Sequence, residues 1–384
     1  MNIAMLLHKT VVHDARVRRE ARALSEQGHR VTVLELDQDA AGQLDGFARR
    51  SAAPPAWVRR RLPFQLYRVV FLLWFVRRLL ELRPDVVHAH DAAMLLPGLI
   101  GARLAGARLV YDSHELATGV PYRTGGWARF VAAIERLGVH RCAAVITVSD
   151  GIAERLRERH GLQRRPTVVR NVSDLTPPPS PTGVLRGRLG IGNAPLILHQ
   201  GAPAPDRGGE ELIQALTAVP HAHLAFLGSS PFTGFRDRLR ELAVSAGVAS
   251  RVHFLPSVPL SELLDWTADA DVGVSMLQDT CENHRLALPN KLFEYLVAGV
   301  PVVVSDLPEV ARLVREEKVG WTVPPADTAG IADALREALA GVRDGTRSEH
   351  VRAVGARYTW AAERRRLEAV YSHCPVGGLR TGGA

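Results

Sequence analysis

Lys291 and Glu294 stand three positions apart at the start of a predicted helix, and their chemistry suits the two ends of a nucleoside diphosphate. Asn290 follows Pro289 and is the expected N-cap, so the helix is predicted to start near Lys291. A lysine there faces the positive end of the helix dipole, which is unfavourable unless an anion such as a diphosphate binds too. The carboxylate of Glu294 can accept hydrogen bonds from both hydroxyls of a ribose. The alternative is a surface ion pair, worth on the order of a few tenths of a kcal/mol.

A glycine-rich turn could bring a second cation to the same ligand. It follows the predicted strand Leu196–His199 and contains Gly201, Arg207 and Gly208. Glycine lets the backbone approach a ligand closely, and Arg207, near a helix start, could bind a phosphate. The turn matches neither the dinucleotide fingerprint nor a P-loop. Glycine-rich turns are more often ordinary loops than ligand-binding sites. What favours a ligand-binding site here is that the turn lies in the same domain as the predicted helix.

Histidine and aspartate side chains follow two predicted strands of the first half. The segments are 88–91 (His-Ala-His-Asp) and 112–115 (Asp-Ser-His-Glu). A zinc site would need four side chains converging in tetrahedral geometry, which spacing does not establish, so we expect no metal site. His114 and Asp112 are candidates for acceptor positioning or proton relay. The alternative is that each caps the following helix.

The composition indicates a globular chain of two α/β domains. Its 384 residues, 46% hydrophobic and 23% charged, are too many for one ordinary core. Strands and helices alternate on both sides of a proline-rich stretch, which predicts two doubly wound parallel sheets with ligands at the carboxyl ends of the strands. We expect domains at 1–175 and 184–372, a linker at 176–183 and a flexible tail at 373–384. The predicted strands are Ile3–Leu7, Val31–Glu35, Val86–His88, Ala107–Tyr111, Ala143–Val148 and Thr167–Val169, then Leu196–His199, Ala222–Leu227, Arg251–Leu255, Val272–Ser275, Val300–Val304 and Gly320–Val323.

Positive charge is concentrated in the first half of a chain whose net charge is +8. Residues 1–175 carry 27 Lys and Arg against 17 Asp and Glu, whereas residues 176–384 carry 21 against 23. The densest stretch, 57–78, mixes arginines with aromatic and leucine residues. Arg68 interrupts its apolar run, which is short of the ~20 residues of a membrane span. An interfacial helix on an anionic membrane and a core-packing helix with solvated arginines fit equally well. Without a recognised nucleic-acid module, no nucleic-acid partner is expected.

Cysteine usage and the start of the chain indicate a cytoplasmic protein. The basic stretch 57–78 suggests, as an alternative, a peripheral position at the inner face of the membrane. Cys142, Cys281 and Cys374 are odd in number and widely spaced, which is typical of reduced thiols. His8 and Lys9 interrupt the apolar start before a signal-peptide core could form.

In their order and spacing, the motifs resemble the family 4 glycosyltransferases. These are retaining-type enzymes with the GT-B fold, in which two Rossmann-like domains face each other across a cleft. The resemblance implies that the second domain binds a nucleotide-sugar donor and the first, basic domain binds a saccharide, lipid-linked or small-molecule acceptor. The matching segments are 14–21, 28–31, 88–91, 111–115, 145–150, 169–174, 207–209, 289–295 and 299–303.

The resemblance also implies roles for individual residues. Glu294 would bind the donor ribose, Arg207 with Lys291 would bind the diphosphate of a UDP or GDP sugar, and His114 would approach the transferred sugar. We therefore expect His114, Arg207 and Lys291 to be catalytic. The expected donor side is Gly201, Arg207, Gly208, Asn290, Lys291, Leu292 and Glu294, and the expected acceptor side is His13, Asp14, Arg16, His90, Asp91, Asp112 and His114.

The chain departs from the family pattern at two places. Leu286 stands where members often have a second glutamate that contacts the sugar, and His8-Lys9-Thr10 replaces the usual glycine pair after the first strand. Both departures leave the donor sugar open. Asp269-Ala270-Asp271 spells the D-x-D motif of metal-dependent sugar transferases, but it precedes a predicted strand, and we interpret it as a helix-end turn.

The expected reaction is sugar transfer with retention, without metal or cofactor. Negative charge on the leaving diphosphate would be stabilised by Arg207, Lys291 and the amides near Leu292, and no enzymic nucleophile stands out. Two alternatives remain open. One is a nucleotide-sugar epimerase or hydrolase on the same fold, and the other is a non-catalytic nucleotide-sugar-binding partner of a polysaccharide assembly complex.

Overall fold

The computed structural model describes residues 1–119, 125–178, 180–230, 232–341 and 346–372. The chain divides into two compact units, one of Met1–Arg170 with Arg364–Ala384 and one of Asn171–Glu363. These limits differ from the expected boundaries at 175 and 372. Val172 is fully buried in the core of the second unit, and Tyr371 hydrogen-bonds His88 in the first. The expected tail, 373–384, lies outside the described residues.

The first unit contains an eight-stranded sheet. Its strands are β1 (Asn2–Leu6), β2 (Arg30–Glu35), β3 (Gln43–Leu44), β4 (Phe47–Ser51), β5 (Val86–His90), β6 (Arg108–Ser113), β7 (Ala144–Thr147) and β8 (Thr167–Val168). Its helices are α1 (Ala15–Glu26), α2 (Ala56–Arg61), α3 (Phe64–Leu80), α4 (Asp91–Ala105), α5 (Gly125–Val139) and α6 (Asp150–His160). The strand order is β3-β4-β2-β1-β5-β6-β7-β8, and only the β3–β4 pair is antiparallel among the described strands.

The second unit contains a six-stranded parallel sheet of order β11-β10-β9-β12-β13-β14. Its strands are β9 (Leu196–Gln200), β10 (His223–Leu227), β11 (Val252–Leu255), β12 (Val272–Ser275), β13 (Val302–Ser305) and β14 (Gly320–Val323). Its helices are α7 (Val184–Leu189), α8 (Gly209–Leu216), α9 (Phe235–Ser245), α10 (Leu263–Thr267), α11 (Glu282–Leu286), α12 (Asn290–Ala298), α13 (Pro308–Glu317), α14 (Thr328–Gly341) and α15 (Thr346–Gly355), and α16 (Trp360–Ser372) begins in this unit and ends in the first.

Both faces of the second sheet are buried. Along β9, Leu196 and Leu198 belong to one hydrophobic core, whereas Ile197 between them belongs to another. Side chains of a strand alternate between faces, so two cores on one strand mean that the sheet is covered on both sides. The predicted doubly wound arrangement is confirmed here.

In the first sheet, one face is apolar and the other has a polar centre. Ala89 and Tyr111 lie on the apolar face in a common hydrophobic core. On the opposite face the fully buried side chains include His88, His90 and Asp112. All twelve predicted strands are present, while β3 and β4 were not predicted because Phe47–Ser51 has no apolar run.

Helix α3 is divided along its length. Phe75 and Leu79, near its carboxyl end, are fully buried, whereas Leu66 and Leu73 are more than half exposed. The helix therefore packs on the core at one end and presents leucines to solvent at the other. Among the described residues, no helix has both the length and the apolar character to cross a membrane.

Gly273 on β12 provides a test of packing in the second unit. A Cβ there would lie 2.5 Å from the ring of Tyr295, so Gly273→Ala should destabilise the protein by about 1–3 kcal/mol. Gly187→Ala, in α7 of the same unit, meets nothing within 4 Å and should stabilise by about 0.5–1 kcal/mol. Urea unfolding would measure both changes. If both substitutions changed the free energy of unfolding in the same direction, this account of the core would be contradicted.

Candidate functional site

A pocket of about 550 Å³ lies in the second unit at the carboxyl ends of its strands. Gln200 ends β9 and Gly228 follows β10, and both line it, as do the first residues of α12. Open α/β sheets bind ligands at this edge. Of the expected donor-side residues, the structure brings together Gly201, Arg207, Asn290, Lys291 and Glu294 in its lining.

The start of α12 differs in detail from the predicted cap. Pro289 occupies the N-cap position and Asn290 is the first helical residue, without a side-chain capping bond. The expected N-cap at Asn290 is therefore wrong by one position, because the helix already begins beside the proline. Gly299 ends the helix with φ of 78°, as predicted.

Lys291 extends from the first turn of α12 over the end of β9. Its Nζ lies 3.3 Å from Nε2 of His199. Burial and, to a smaller extent, the charge of Arg207 lower the pKa of Lys291 to about 7, against the opposing influence of Glu294. A lysine under these conditions gains most from an anionic ligand, because that ligand restores its charge.

Glu294 is held from the strand side by Gln200, whose amide nitrogen donates to its carboxylate. The other end of the Gln200 side chain accepts a 2.8 Å hydrogen bond from Thr267. Its backbone amide donates to the hydroxyl of Tyr295, also at 2.8 Å. The carboxylate orientation therefore depends on β9, α10 and α12 together.

Two expected donor-side residues do not line the pocket. Leu292 is fully buried in the hydrophobic core, and its amide donates to the carbonyl of Pro289. Gly208 packs against Met276. A Cβ atom added at Gly208 would lie only 2.3 Å from the Cβ of Met276. With φ of 73°, Gly208 serves the turn before α8. Their positions follow from packing and turn geometry.

The sequence did not single out several polar residues of the pocket. Gln200 and His199 end a strand whose other residues are apolar, so only the three-dimensional structure reveals their contacts. Asn283 and His284 also line the pocket, whereas Leu286 does not appear in its lining. His284 Nδ1 lies 2.9 Å from the carbonyl oxygen of Gln278.

In the first unit, a buried network surrounds Asp112. Arg16 of α1 makes two 2.9 Å hydrogen bonds to this carboxylate and one of 2.7 Å to the carbonyl of Val169. Nε2 of His114 lies 3.1 Å from the same carboxylate. Nδ1 of His90 is 3.2 Å from Nε2 of His114. The structure thus brings together four of the expected acceptor-side residues.

Only the outer members of this network reach its surface. Arg16, His90 and Asp112 are buried, whereas the side chains of His114 and Asp91 are 15% and 14% exposed. The three buried residues hold the exposed pair in place, and the acceptor-side role of all five stays a prediction. Asp91 begins α4 with φ of 62°, and its carboxylate accepts a hydrogen bond from the amide of His114.

The charges of this network are strongly coupled. Burial alone would lower the pKa of His114, but Asp91 and Asp112 raise it to about 9. Burial would raise the pKa of Asp112, yet Arg16 and His114 hold it well below its usual range. Burial lowers the pKa of His90 despite Asp112. His114 is therefore the histidine that carries positive charge at neutral pH.

The remaining acceptor-side predictions lie at the start of α1. Asp14 caps this helix by accepting a hydrogen bond from the amide of Val17, and it pairs with Lys9 at 2.9 Å. Asp14 therefore serves as the N-cap of α1. His13 is exposed in a 3₁₀ turn, Val11–His13, outside the network around Asp112.

Asp269 and Asp271 have structural partners in the second unit. Asp269 accepts hydrogen bonds from the amides of Gly183 and Leu185, and Asp271 pairs with Arg186. The interpretation of this D-x-D sequence as a helix-end turn is confirmed. Gly183 and Leu185 are fixed to the second unit by the same contacts.

Two family models match the chain in succession. The model of Glycosyltransferase Family 4 matches residues 15–176, and that of Glycosyl transferases group 1 matches residues 194–341. The chain belongs to the family 4 glycosyltransferases. The resemblance seen in its motifs is thereby confirmed.

Curated relatives of this glycosyltransferase include proteins with several substrates in their names. A GDP-mannose-dependent alpha-(1-6)-phosphatidylinositol monomannoside mannosyltransferase of Mycobacterium tuberculosis is 28% identical over 333 residues, 83% of this chain and 82% of that protein. A glycogen synthase of the same species is 27% identical over 264 residues, 67% of this chain. The match spans only 60% of the length of that glycogen synthase.

Solved structures resemble this glycosyltransferase over nearly its whole length. Sucrose-phosphate synthase from Thermosynechococcus elongatus superposes with a TM-score of 0.78 and 19% identity, covering 97% of this chain and 98% of that one. Anabaena HepE in complex with UDP and glucose gives 0.79 and 17%, covering 97% and 100%. At these identities the likeness shows the fold alone, and it confirms the expected GT-B class.

Proposed function

We propose that this glycosyltransferase moves a sugar from a UDP or GDP donor to a saccharide, lipid-linked or small-molecule acceptor. The observation that carries the proposal is that Arg207, Lys291 and Glu294 line one pocket. Two cations and one carboxylate suit a diphosphate and a ribose, respectively. The names of relatives support it, since one is a GDP-mannose-dependent mannosyltransferase and one structural neighbour holds UDP and glucose.

The ribose end of the donor is assigned to Glu294. Its contact with Gln200 restricts the carboxylate before any ligand arrives, and such preorganisation lowers the cost of binding. A ribose diol can bridge both carboxylate oxygens.

The diphosphate end is assigned to Arg207 and Lys291. As the sugar leaves, charge grows on the diphosphate, and fixed cations at that point stabilise the transition state. Glu294 is the only carboxylate in the described lining of the pocket, which suits transfer without a metal at the diphosphate. We further propose retention by front-face transfer, with the leaving phosphate as base.

The sugar end is assigned to His284 and Asn283. Leu286 replaces the glutamate that the family often uses, and these two polar side chains line the pocket instead. His284 and Asn283 would then select among donor sugars by hydrogen bonding. In the first unit, we assign His114 to the acceptor side because its imidazole is charged and its side chain is partly exposed.

Arg207→Ala and Lys291→Ala should each lower turnover by about 10²–10³, since each removes a donor to the leaving group. The assay is release of UDP or GDP from donor and acceptor, after a thermal-shift screen has identified the bound nucleotide. Arg238→Ala is the matched control, because Arg238 is 71% exposed and pairs with Glu210 on the surface.

Unchanged turnover in both variants would overturn the assignment. Nucleotide-sugar binding without turnover on any acceptor would favour the non-catalytic alternative. Release of free sugar or of an isomer would favour a hydrolase or an epimerase.

Nucleotide affinity should fall as pH rises above about 7. Free Lys291 loses its proton near that pH, and a bound diphosphate raises its pKa, so binding takes up a proton between the two values. Calorimetry at about pH 8.5 in buffers of different ionisation enthalpy should show uptake of close to one proton. Lys291→Arg keeps its charge and should abolish the uptake. Equal uptake in both proteins would contradict the role of Lys291.

The acceptor side is proposed to lie near an anionic membrane at the inner, cytoplasmic surface. Leu66, Val69 and Leu73 expose an apolar strip on α3, and the same helix carries Arg68, Arg77 and Arg78. An apolar cavity of about 530 Å³ is lined by α3, α4 and α5. These features fit a lipid-linked acceptor.

The protein should sediment with anionic vesicles at low salt, and the double variant Leu66→Gln, Leu73→Gln should reduce this binding strongly. Leu104→Gln is the control, since Leu104 is equally exposed on α4. Absence of binding by the unaltered protein would exclude the membrane proposal. So would equal losses in the double variant and the control.

A further inference from the structure

Four side chains of the first unit converge in its interior without a role in the proposed donor chemistry. They are Glu20 on α1, His88 and His90 on β5, and Asp112 on β6. One possible ligand atom from each lies within 4.8 Å of the others. All four residues have no exposed surface.

Local geometry explains the convergence. His88 and His90 are two positions apart on one strand, so they share a face of the sheet, and their rings stack with centroids 4.2 Å apart. His90 pairs in register with Asp112 on the next strand. Glu20 stands one helical turn after Arg16, which bonds Asp112. The fold therefore sets these groups in place by its most regular elements.

Several atoms of this group lack hydrogen-bond partners. Nε2 of His88, Nε2 of His90 and both carboxylate oxygens of Glu20 have none among the described residues, although Oε1 of Glu20 forms an ion pair with Nε of Arg16 at 3.1 Å. Buried polar atoms are almost always partnered in folded proteins. Several unpartnered acceptors in one small volume indicate that a positively charged or hydrogen-bonding group belongs there.

The Nδ1 atoms of both histidines do have neighbours. Nδ1 of His88 lies 2.6 Å from the hydroxyl of Tyr371, and Nδ1 of His90 lies 3.4 Å from the carboxylate of Asp112. This is the arrangement typical of metal-binding histidines, in which one ring nitrogen binds the ion and the other donates to an oxygen. It leaves the Nε2 lone pairs free.

We propose that Glu20, His88 and His90 bind a transition-metal dication, with Zn²⁺ the best match, and that Asp112 and Tyr371 orient the two histidines. Two imidazoles and one carboxylate are a ligand set that zinc accepts. Asp112 uses both oxygens in its pair with Arg16, whereas Glu20 contacts Arg16 only through Oε1, which leaves Oε2 of Glu20 as the carboxylate oxygen available to the ion. Ligand atoms at about 2.0–2.2 Å from zinc lie closer together than 4.8 Å, so binding draws the three side chains inward.

The ion would join α1 to β5 and, through Tyr371, to the end of α16. This site is separate from the donor pocket, and the inference does not depend on the proposed sugar transfer. Its role is to hold together the elements that carry the network beneath His114.

The first experiment measures metal content and stability of the full chain, prepared without a histidine tag. After chelator treatment, added Zn²⁺ should return to about one equivalent per chain, and the melting temperature should rise by several degrees. Co²⁺ in its place should give the visible absorption of a four- or five-coordinate nitrogen and oxygen site. No bound metal and an unchanged melting temperature would overturn the proposal.

Variants distinguish this site from adventitious binding. Glu20→Gln should abolish stoichiometric binding, and Tyr371→Phe, which leaves the three ligands in place, should weaken affinity about 10–100-fold. The control is His253→Gln, because His223 and His253 form a histidine pair in the second unit with nitrogens 2.9 Å apart. Binding lost in the control but kept in Glu20→Gln would overturn the proposal. If Glu20→Gln does not fold, an unchanged affinity in Tyr371→Phe would do so.

Discussion

The hydroxyl of Tyr295 is the contact on which the donor pocket depends. It accepts a hydrogen bond from the amide of Gln200 and donates one to the carbonyl of Leu198, each 2.8 Å long. Gly273 leaves space for the ring beneath it. These contacts fix α12 to the end of β9, and so they set the position of Glu294, one residue away in the sequence. The polar pocket is thus positioned by a buried contact behind it, and the hydrogen bond from Gln200 then orients the carboxylate of Glu294.

In the first unit the corresponding constraint is a buried ion pair. Arg16 and Asp112 have almost no exposed surface, and a charge in such surroundings is tolerated only with a well-aligned partner. Two parallel hydrogen bonds supply that alignment. Losing Arg16 would leave Asp112 with His114 as its charged partner, and losing Asp112 would leave Arg16 with Glu20. Because His114 also depends on Asp112, the pair determines the orientation of the one charged imidazole at the surface of the network.

Sequence patterns predict the structural features that depend on residues close together in the chain. Apolar runs identified the twelve strands, and the helix beginning beside Pro289 gave Lys291 and Glu294 their common surface. Contacts between distant residues were beyond such patterns. Gln200 was overlooked because its role depends on a helix more than 90 positions away. Glu20 was overlooked because it is one of several charged residues on α1. Leu292 was assigned to the ligand for the helix amides near it, but its own amide donates to the carbonyl of Pro289 and its side chain lies in the core.

Charge in the donor pocket is arranged to respond to the ligand. Lys291 is held beside Arg207 in partly dry surroundings, and both effects favour its neutral form. In the proposed assignment a diphosphate would offset both effects, so the pocket would become fully cationic only when it is occupied. Negative charge on the diphosphate would grow as the sugar leaves, and the same two cations would then hold the product more tightly than the donor. The electrostatics that favour the transition state would therefore also slow release of the nucleotide.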